Sequence, residues 1–264
     1  MPDDTSPLAP QVDARDLRAH THALPASWIG RMGLVAQNWL ESAVARASLH
    51  GDPCVYDTRE FPWIAELEAG WRGVREELDA VLTRRSEIPS FQSILKEVGT
   101  INTDEDWKTF WLVGMGMDCS RNAATCPRTM ALLARVPDLA NAFFSILSPG
   151  KHIPAHRGAY NGLLRLHLAL QVPEPREQCR IRIGHEMRTW REGEALVFDD
   201  SFNHEVWNET DGVRVVLFVD FVRPLKRPWH ALNRRFIRAG ALAPFMREAG
   251  RKHREWERKF YRKG

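Results

Sequence analysis

The sequence predicts a mostly β core, an antiparallel sandwich or barrel, supported by helices on both sides. The apolar residues repeat with a helical period up to Pro137, alternate in short runs after it, and return to a helical pattern beyond residue 224. The alternating runs are short and separated by turn residues, which is the spacing of antiparallel barrels and sandwiches rather than of βαβ units.

Residues 1–25 read as a flexible lead. They contain Asp, Pro, Thr and Ala but no apolar stretch of the kind a secretory signal carries. From 27 to 49, Ile29, Met32, Leu34, Val35, Trp39, Leu40 and Val44 fit one broad helical stripe. A second stripe, Ile64, Leu67, Trp71, Val74, Leu78 and Leu82, is flanked by Glu and Arg and predicts an amphipathic helix. Pro127, suited to a first helical turn, introduces a third helix over 129–135. Strands are expected at 142–147, 163–172, 179–183, 194–198, 205–207 and 213–222. The expected organisation is therefore a lead (1–25), a helical support region (26–140), a β core (141–224) and a basic helical extension (225–264). No internal repeat is visible.

Of the 264 residues, 44% are hydrophobic and 27% charged, which excludes disordered, collagen-like and coiled-coil classes. No apolar run is long enough to cross a bilayer. Cys54, Cys119, Cys126 and Cys179 form no CxxC pair, which argues against a structural zinc site. Cys119 and Cys126 are close enough in sequence to pair, but reduced thiols and a cytoplasmic location are expected.

Charge is unevenly placed. Residues 221–264 hold 14 Lys and Arg against 3 Asp and Glu, a net of +11, while the other 220 residues hold 23 against 31, a net of −8. A basic extension carrying Trp229, Phe236, Phe245, Trp256 and Phe260 has two readings. It lies peripherally on an anionic membrane at the inner face, or it packs on the barrel with its basic face in water. No base-reading motif accompanies it, so nucleic acid is not an expected partner.

Two histidines have unusual surroundings. His156 lies in SPGKHIPAHRGAYNG, a loop rich in turn residues, and His204 in FDDSFNHEVWNET, just past a strand ending in two carboxylates. Period-2 alternation puts Arg165 and His167 on one face with Leu163 and Ala169, and Arg214 with Val216 and Phe218. A charged side chain on such a face needs a buried anionic partner; on the other reading both arginines face water and pair with surface carboxylates.

Together these stretches, SILSPGKHIPAHRG, NGLLRLHLALQVP and WREGEALVFDDSFNHEVWNETDGVRVVLFVD, resemble the aspartyl/asparaginyl β-hydroxylase family of Fe(II)/2-oxoglutarate oxygenases. The likeness is strongest over 144–224, with weaker similarity upstream. It implies a double-stranded β-helix, the jelly-roll or cupin-like fold, with Fe(II), 2-oxoglutarate as cosubstrate, and O2. By this resemblance His156 and His204 match the iron ligands, and Arg214 the residue that holds the distal carboxylate of 2-oxoglutarate. Ser145, Arg165 and His167 match residues lining that pocket, and Asp200 a position beside the iron-bound water. Most oxygenases of the wider superfamily use two His and a carboxylate. Here Gly158 stands two residues after His156, an absence that suits this family and also a halogenase. His152 and His185 match no position of the motif and read as polar loop residues.

The implied reaction hydroxylates an unactivated C–H, releasing succinate and CO2. The substrate implied is the β-carbon of an Asp or Asn in a peptide, a free amino acid, or a lipid acyl chain. A non-catalytic cupin-like binding module is the alternative of a different class.

Overall fold

The computed structural model describes residues 28–262, so the lead expected over 1–25 lies outside the described residues. The chain opens with α1 (Trp28–Ala47), then β1 (Val55–Tyr56), α2 (Ile64–Ala69), α3 (Trp71–Leu82), α4 (Phe91–Ile94) and β2 (Trp107–Val113). Next come α5 (Ser120–Thr125), α6 (Pro127–Leu133), β3 (Leu139–Leu147), β4 (His152–His156), β5 (Leu163–Gln171), β6 (Cys179–Ile183) and β7 (Glu186–Thr189). The chain closes with β8 (Ala195–Phe198), β9 (His204–Asn208), β10 (Arg214–Val222), α7 (Trp229–Gly240) and α8 (Pro244–Phe260).

The strands form two facing antiparallel sheets. The larger has the order β1-β8-β5-β10-β3-β2 and the smaller β4-β9-β6-β7. From β3 to β6 and again from β7 to β10 consecutive strands alternate between sheets, which is how a double-stranded β-helix winds, so the all-β core is present as expected. The support region is not purely helical, however. Residues 107–113 carry Trp, Thr, Phe and Val suited to a pleated surface, and they extend the larger sheet beside β3.

Strand β10 shows why the sequence reads as it does. All nine of its residues are buried, because the larger sheet is covered on both faces. Val215, Leu217, Val219 and Phe221 join Leu164, Leu166 and Leu168 of β5 against the helical layer. Val216 and Phe218 join Phe143, Ala169, Ile181 and Val206 between the sheets. Each Leu or Phe fully removed from water contributes about 1.5–3 kcal/mol, so the two layers fix the register of every central strand.

Helix α1 forms where the first stripe predicts it, but Met32, Val35 and Trp39 of that stripe are exposed and only its end, at Val44, is buried. The second stripe faces the core with one difference. The stripe from Ile64 to Leu82 is broken at Gly70 into α2 and α3, where a Cβ would fall 2.5 Å from Leu132 Cδ1. Close packing of α6 there leaves room for glycine only, and glycine weakens helix continuity. Pro127 does occupy the first turn of α6.

The basic extension divides in two. Helix α8 buries Met246, Ala249, Gly250, His253, Glu257 and Phe260. Trp256 donates to the Glu87 carbonyl at 2.7 Å, and the Arg84 guanidinium lies 3.8 Å from the Phe260 ring centre. Helix α7 buries only Asn233 and Ile237. All four cysteines are buried free thiols. No described helix is long and apolar enough to cross a membrane.

Candidate active site

The site lies between the two sheets, where β4 and β9 pair and His156 stands opposite His204 in register. The loop expected around His156 is therefore a strand whose last residue it is. Their ring centres are 4.1 Å apart. His156 Nδ1 donates to the Pro154 carbonyl at 2.8 Å, and His204 Nδ1 to the Phe202 carbonyl at 2.9 Å. Each bond fixes the tautomer and leaves Nε2 with a free lone pair, the state a metal needs. Burial pulls the pKa of His156 down to about 4 and that of His204 well below its ordinary value, so both rings are neutral at pH 7.

Anchoring of the turn before His204 comes from far away. Arg223, fully buried, donates to Asp199 Oδ2 at 2.9 Å, Asp52 Oδ1 at 2.7 Å and Tyr56 Oη at 2.6 Å. Asp199 in turn accepts from the Ser201 amide at 2.9 Å. This network ties the Asp199–Asp200 turn to the segment entering β1, and so sets where Asp200 and His204 point.

The two arginines singled out from the sequence differ sharply. Arg165 is paired inside the chain, with Nη2 2.9 Å from Asp200 Oδ2 and Nε 3.0 Å from Asp220 Oδ1, and its guanidinium lies 4.1 Å from the Phe218 ring centre. The buried anionic partner that Arg165 needs is supplied by the protein itself. Burial acts against the charge of Arg165, but Asp200 and Asp220 raise its pKa above the ordinary value. Burial also pushes the Asp200 carboxyl upward, with Arg165 opposing.

Arg214 has no such partner. Its Nε and Nη1 are buried and find no hydrogen-bond partner among the described residues, nor do both ring nitrogens of His167 and Nε1 of Trp190. Burial, opposed by the Cys179 thiol, pulls the pKa of Arg214 down to about 10. The guanidinium lies 4.6 Å from the Trp190 ring centre. Unpaired buried donors of this strength are rare because each forfeits its hydration without replacement. Ser145 shares the interior face, opposite Val216, as His167 stands opposite Phe218. Its Oγ accepts from Trp107 Nε1 at 3.0 Å, which leaves the hydroxyl proton to donate. Arg214 and His167 thus present buried polar atoms without partners on the interior face, with the Ser145 hydroxyl on the same face.

A cavity of about 550 Å³, within the ordinary range for small-molecule sites, is lined by Arg165 and Phe218 of the same two central strands. His156, Arg157, Arg165 and Asp200 form one polar end, and Phe91, Leu95, Val98, Ile101, Trp111 and Phe245 line much of the rest. Arg157 is held there by both carboxylate oxygens of Glu41, at 2.7 and 2.9 Å.

No carboxylate among the described residues joins the two histidines as a third ligand. Among the described residues the trio of ligand-type atoms mutually within 4.8 Å is Cys54, His185 and Glu186, on the β6–β7 hairpin and the segment entering β1. There Cys54 Sγ donates to Glu186 Oε1 at 3.2 Å, and burial raises the thiol to about 12. His152 is paired with Glu205 at 2.7 Å and stacks on Trp207.

Sequence reasoning passed over Asp220, Trp107, Trp190 and the Glu41–Arg157 pair. Asp220 was legible, since it continues the alternation of Arg214, Val216 and Phe218. The others depend on contacts between distant segments, and no local pattern marks them.

Comparison with known proteins places these features in context. The family model described as Aspartyl/Asparaginyl beta-hydroxylase matches residues 68–224. An ornithine lipid ester-linked acyl 2-hydroxylase of Rhizobium tropici is 50% identical over 230 residues, covering 87% of this chain and 81% of that protein. The human aspartyl/asparaginyl beta-hydroxylase is 34% identical over 170 residues, covering 62% of this chain but 22% of that protein. Among solved structures, a Pseudomonas putida prolyl-4-hydroxylase aligns with a TM-score of 0.37 at 19% identity, over 58% of this chain and 87% of that one.

Proposed function

Because the chain belongs to the aspartyl/asparaginyl β-hydroxylase family, we propose that it is an Fe(II)- and 2-oxoglutarate-dependent hydroxylase acting on a lipid acyl chain. The observation that carries the cosubstrate is the orphaned Arg214 guanidinium beside His167 and Ser145. A buried cation with two unmet donors fits the distal carboxylate of a dicarboxylate, and a guanidinium pairs with a carboxylate through two parallel bonds. The neutral His156 and His204, with both Nε2 lone pairs free, fit Fe(II).

Bound iron with 2-oxoglutarate and O2 would supply the oxidising power for C–H hydroxylation, with succinate and CO2 as co-products. The chain's own work is to hold and to exclude. The Pro154 and Phe202 carbonyls keep the imidazoles in their ligating tautomer. Trp190 covers one side of Arg214, so the pairing with a carboxylate occurs out of water, where it is strongest. Arg165 keeps the raised Asp200 carboxyl beside the polar end of the cavity.

The acyl chain is favoured over a peptide carboxyl-bearing side chain by the cavity wall. Phe91, Leu95, Val98 and Ile101 give the cavity an apolar stretch of wall, and apolar lining favours apolar substrate. The Rhizobium relative is named for an ester-linked acyl chain of ornithine lipid, which supports the same class. Hydroxylation is favoured over halogenation because Asp200 lies against Gly158, and an anion is a poor neighbour for halide.

The test is anaerobic titration of 2-oxoglutarate into the Fe(II)-loaded protein, followed by turnover with amino-acid-headed lipids. Succinate formed in step with a lipid gaining one oxygen is the expected result. Lack of 2-oxoglutarate binding in the presence of Fe(II) would overturn it.

A further inference from the structure

From Phe221 to Met246 the chain contains no Asp or Glu, and Glu248 is the first after Asp220. Within that stretch the exposed residues include the cations Lys226, Arg227, Arg235 and Arg238, with Arg247 next in line. The large apolar side chains are exposed as well: Leu232 is 51% accessible, Phe236 55%, Leu242 67% and Phe245 45%. Leu232 and Phe236 are four residues apart and therefore on one side of α7, and Leu242 and Phe245 follow at the corner before and at the start of α8. Apolar side chains left in water beside unopposed cations make up an interfacial surface, since each set has its own partner in an anionic bilayer.

This surface is continuous with the cavity. Phe245 belongs to both, being exposed and also part of the cavity wall. Phe236 meets Tyr160 edge-on at 5.1 Å, and Tyr160 follows Ala159, which lines the cavity. Helix α8 beyond its first turn differs, because its apolar face is already spent in the core and its cations alternate with Glu248, Glu255 and Glu257.

We infer that the outer face of α7 and the α7–α8 corner dock the protein on an anionic bilayer surface, with the cavity mouth beside the acyl chains. The inference rests on the lipid reading above and narrows the membrane contact expected of the whole extension to its first half. Nucleic acid would be met by the cations but not by Leu232, Phe236 and Leu242.

Flotation of the full chain with phosphatidylglycerol–phosphatidylcholine vesicles, against phosphatidylcholine alone, tests it. Strong binding to the anionic vesicles only, falling with salt, is expected. Phe236→Glu with Leu242→Glu, and Arg235→Glu with Arg238→Glu, should each lower partitioning ~10-fold or more. Arg258→Glu with Lys259→Glu, on the exposed side of α8, should lower it less than ~3-fold. Equal losses from both helices, no vesicle binding by the full chain, or tighter binding to duplex DNA would overturn the inference. Detergent-dispersed lipid separates the two proposals. Turnover there without vesicle binding sinks the docking surface alone, whereas vesicle binding with no acyl oxidation in any presentation sinks the proposed function and leaves the surface.

Discussion

Gly158 and Asp200 occupy one another's space. The Gly158 amide donates to the Asp200 carbonyl at 2.7 Å, and a Cβ on Gly158 would stand 2.2 Å from Asp200 Oδ2. The absence of a side chain two residues after His156 is thus more than a missing ligand. It is the opening through which a carboxylate from the β8–β9 turn reaches the polar end of the cavity.

Substitution at Gly158 should therefore act through Asp200. Gly158→Ala displaces that carboxylate and strains its pairing with Arg165; Gly158→Asp adds a second negative charge beside it. Both variants should lose most activity, the aspartate more than the alanine. If Gly158→Asp retains wild-type turnover, Asp200 is not held by this contact.

Removing either histidine should abolish metal binding while leaving the fold. His156 ends β4 and His204 begins β9, and neither belongs to the apolar cluster that packs between the sheets. His156→Ala and His204→Ala should show unchanged far-UV circular dichroism and no stoichiometric iron. Iron retained in the double variant contradicts the assignment.

At Arg214, function and stability should part company. Truncating one member of a buried charge pair costs about 2–5 kcal/mol of binding, so Arg214→Met should lose most affinity for 2-oxoglutarate. The same change removes a buried charge with unmet donors, and replacement by an apolar side chain of similar length is often neutral or stabilising. The variant without cosubstrate should melt at or above the wild-type temperature. Arg214→Lys should recover only part of the affinity, because an ammonium cannot form the fork. A clear drop in the melting temperature of Arg214→Met would show that the guanidinium is paired in the resting protein.

Acid stability should depend on His253. It is fully buried in α8 without a hydrogen-bond partner for either nitrogen among the described residues, facing Asp118 and Arg254. Burial lowers its pKa from 6.5 to about 4, so between those values the unfolded chain takes up a proton that the folded chain refuses. The contribution to stability is complete above about pH 6.5 and is lost as pH falls towards 4, by roughly 3 kcal/mol. His253→Leu should flatten denaturant midpoints across that range. Parallel pH profiles for the two proteins would exclude the effect.

Helix α8 should behave as part of the core. Phe260→Ala removes a buried ring that contacts Phe110 and carries the Arg84 guanidinium, a change worth about 3–5 kcal/mol. Truncation after Leu225 should consequently give an unstable protein, whatever its effect on membranes. A truncated chain that melts like the full one would show that α8 is an appendage.

The sequence by itself determined the β core, five of its six expected strands to within two residues at either end, and the interior face carrying Arg165, His167 and Arg214. Those are properties of local periodicity, since alternation on a pleat assigns each side chain to a face whatever the neighbouring strand is. It also presented His156, His204 and Gly158 in the spacing of a known family. Only the tertiary structure decided which arginine is paired and which is left without an anion, because Asp200 and Asp220 reach Arg165 from a turn and a neighbouring strand. It also decided the strand at Trp107–Val113, whose pairing with β3 no short-range signal announces. In the same way it divided the basic extension into a packed α8 and an exposed α7. Both helices mix cations with apolar residues, and although α8 also carries three glutamates, what decides burial is the presence or absence of a facing hydrophobic layer, a property of the whole fold.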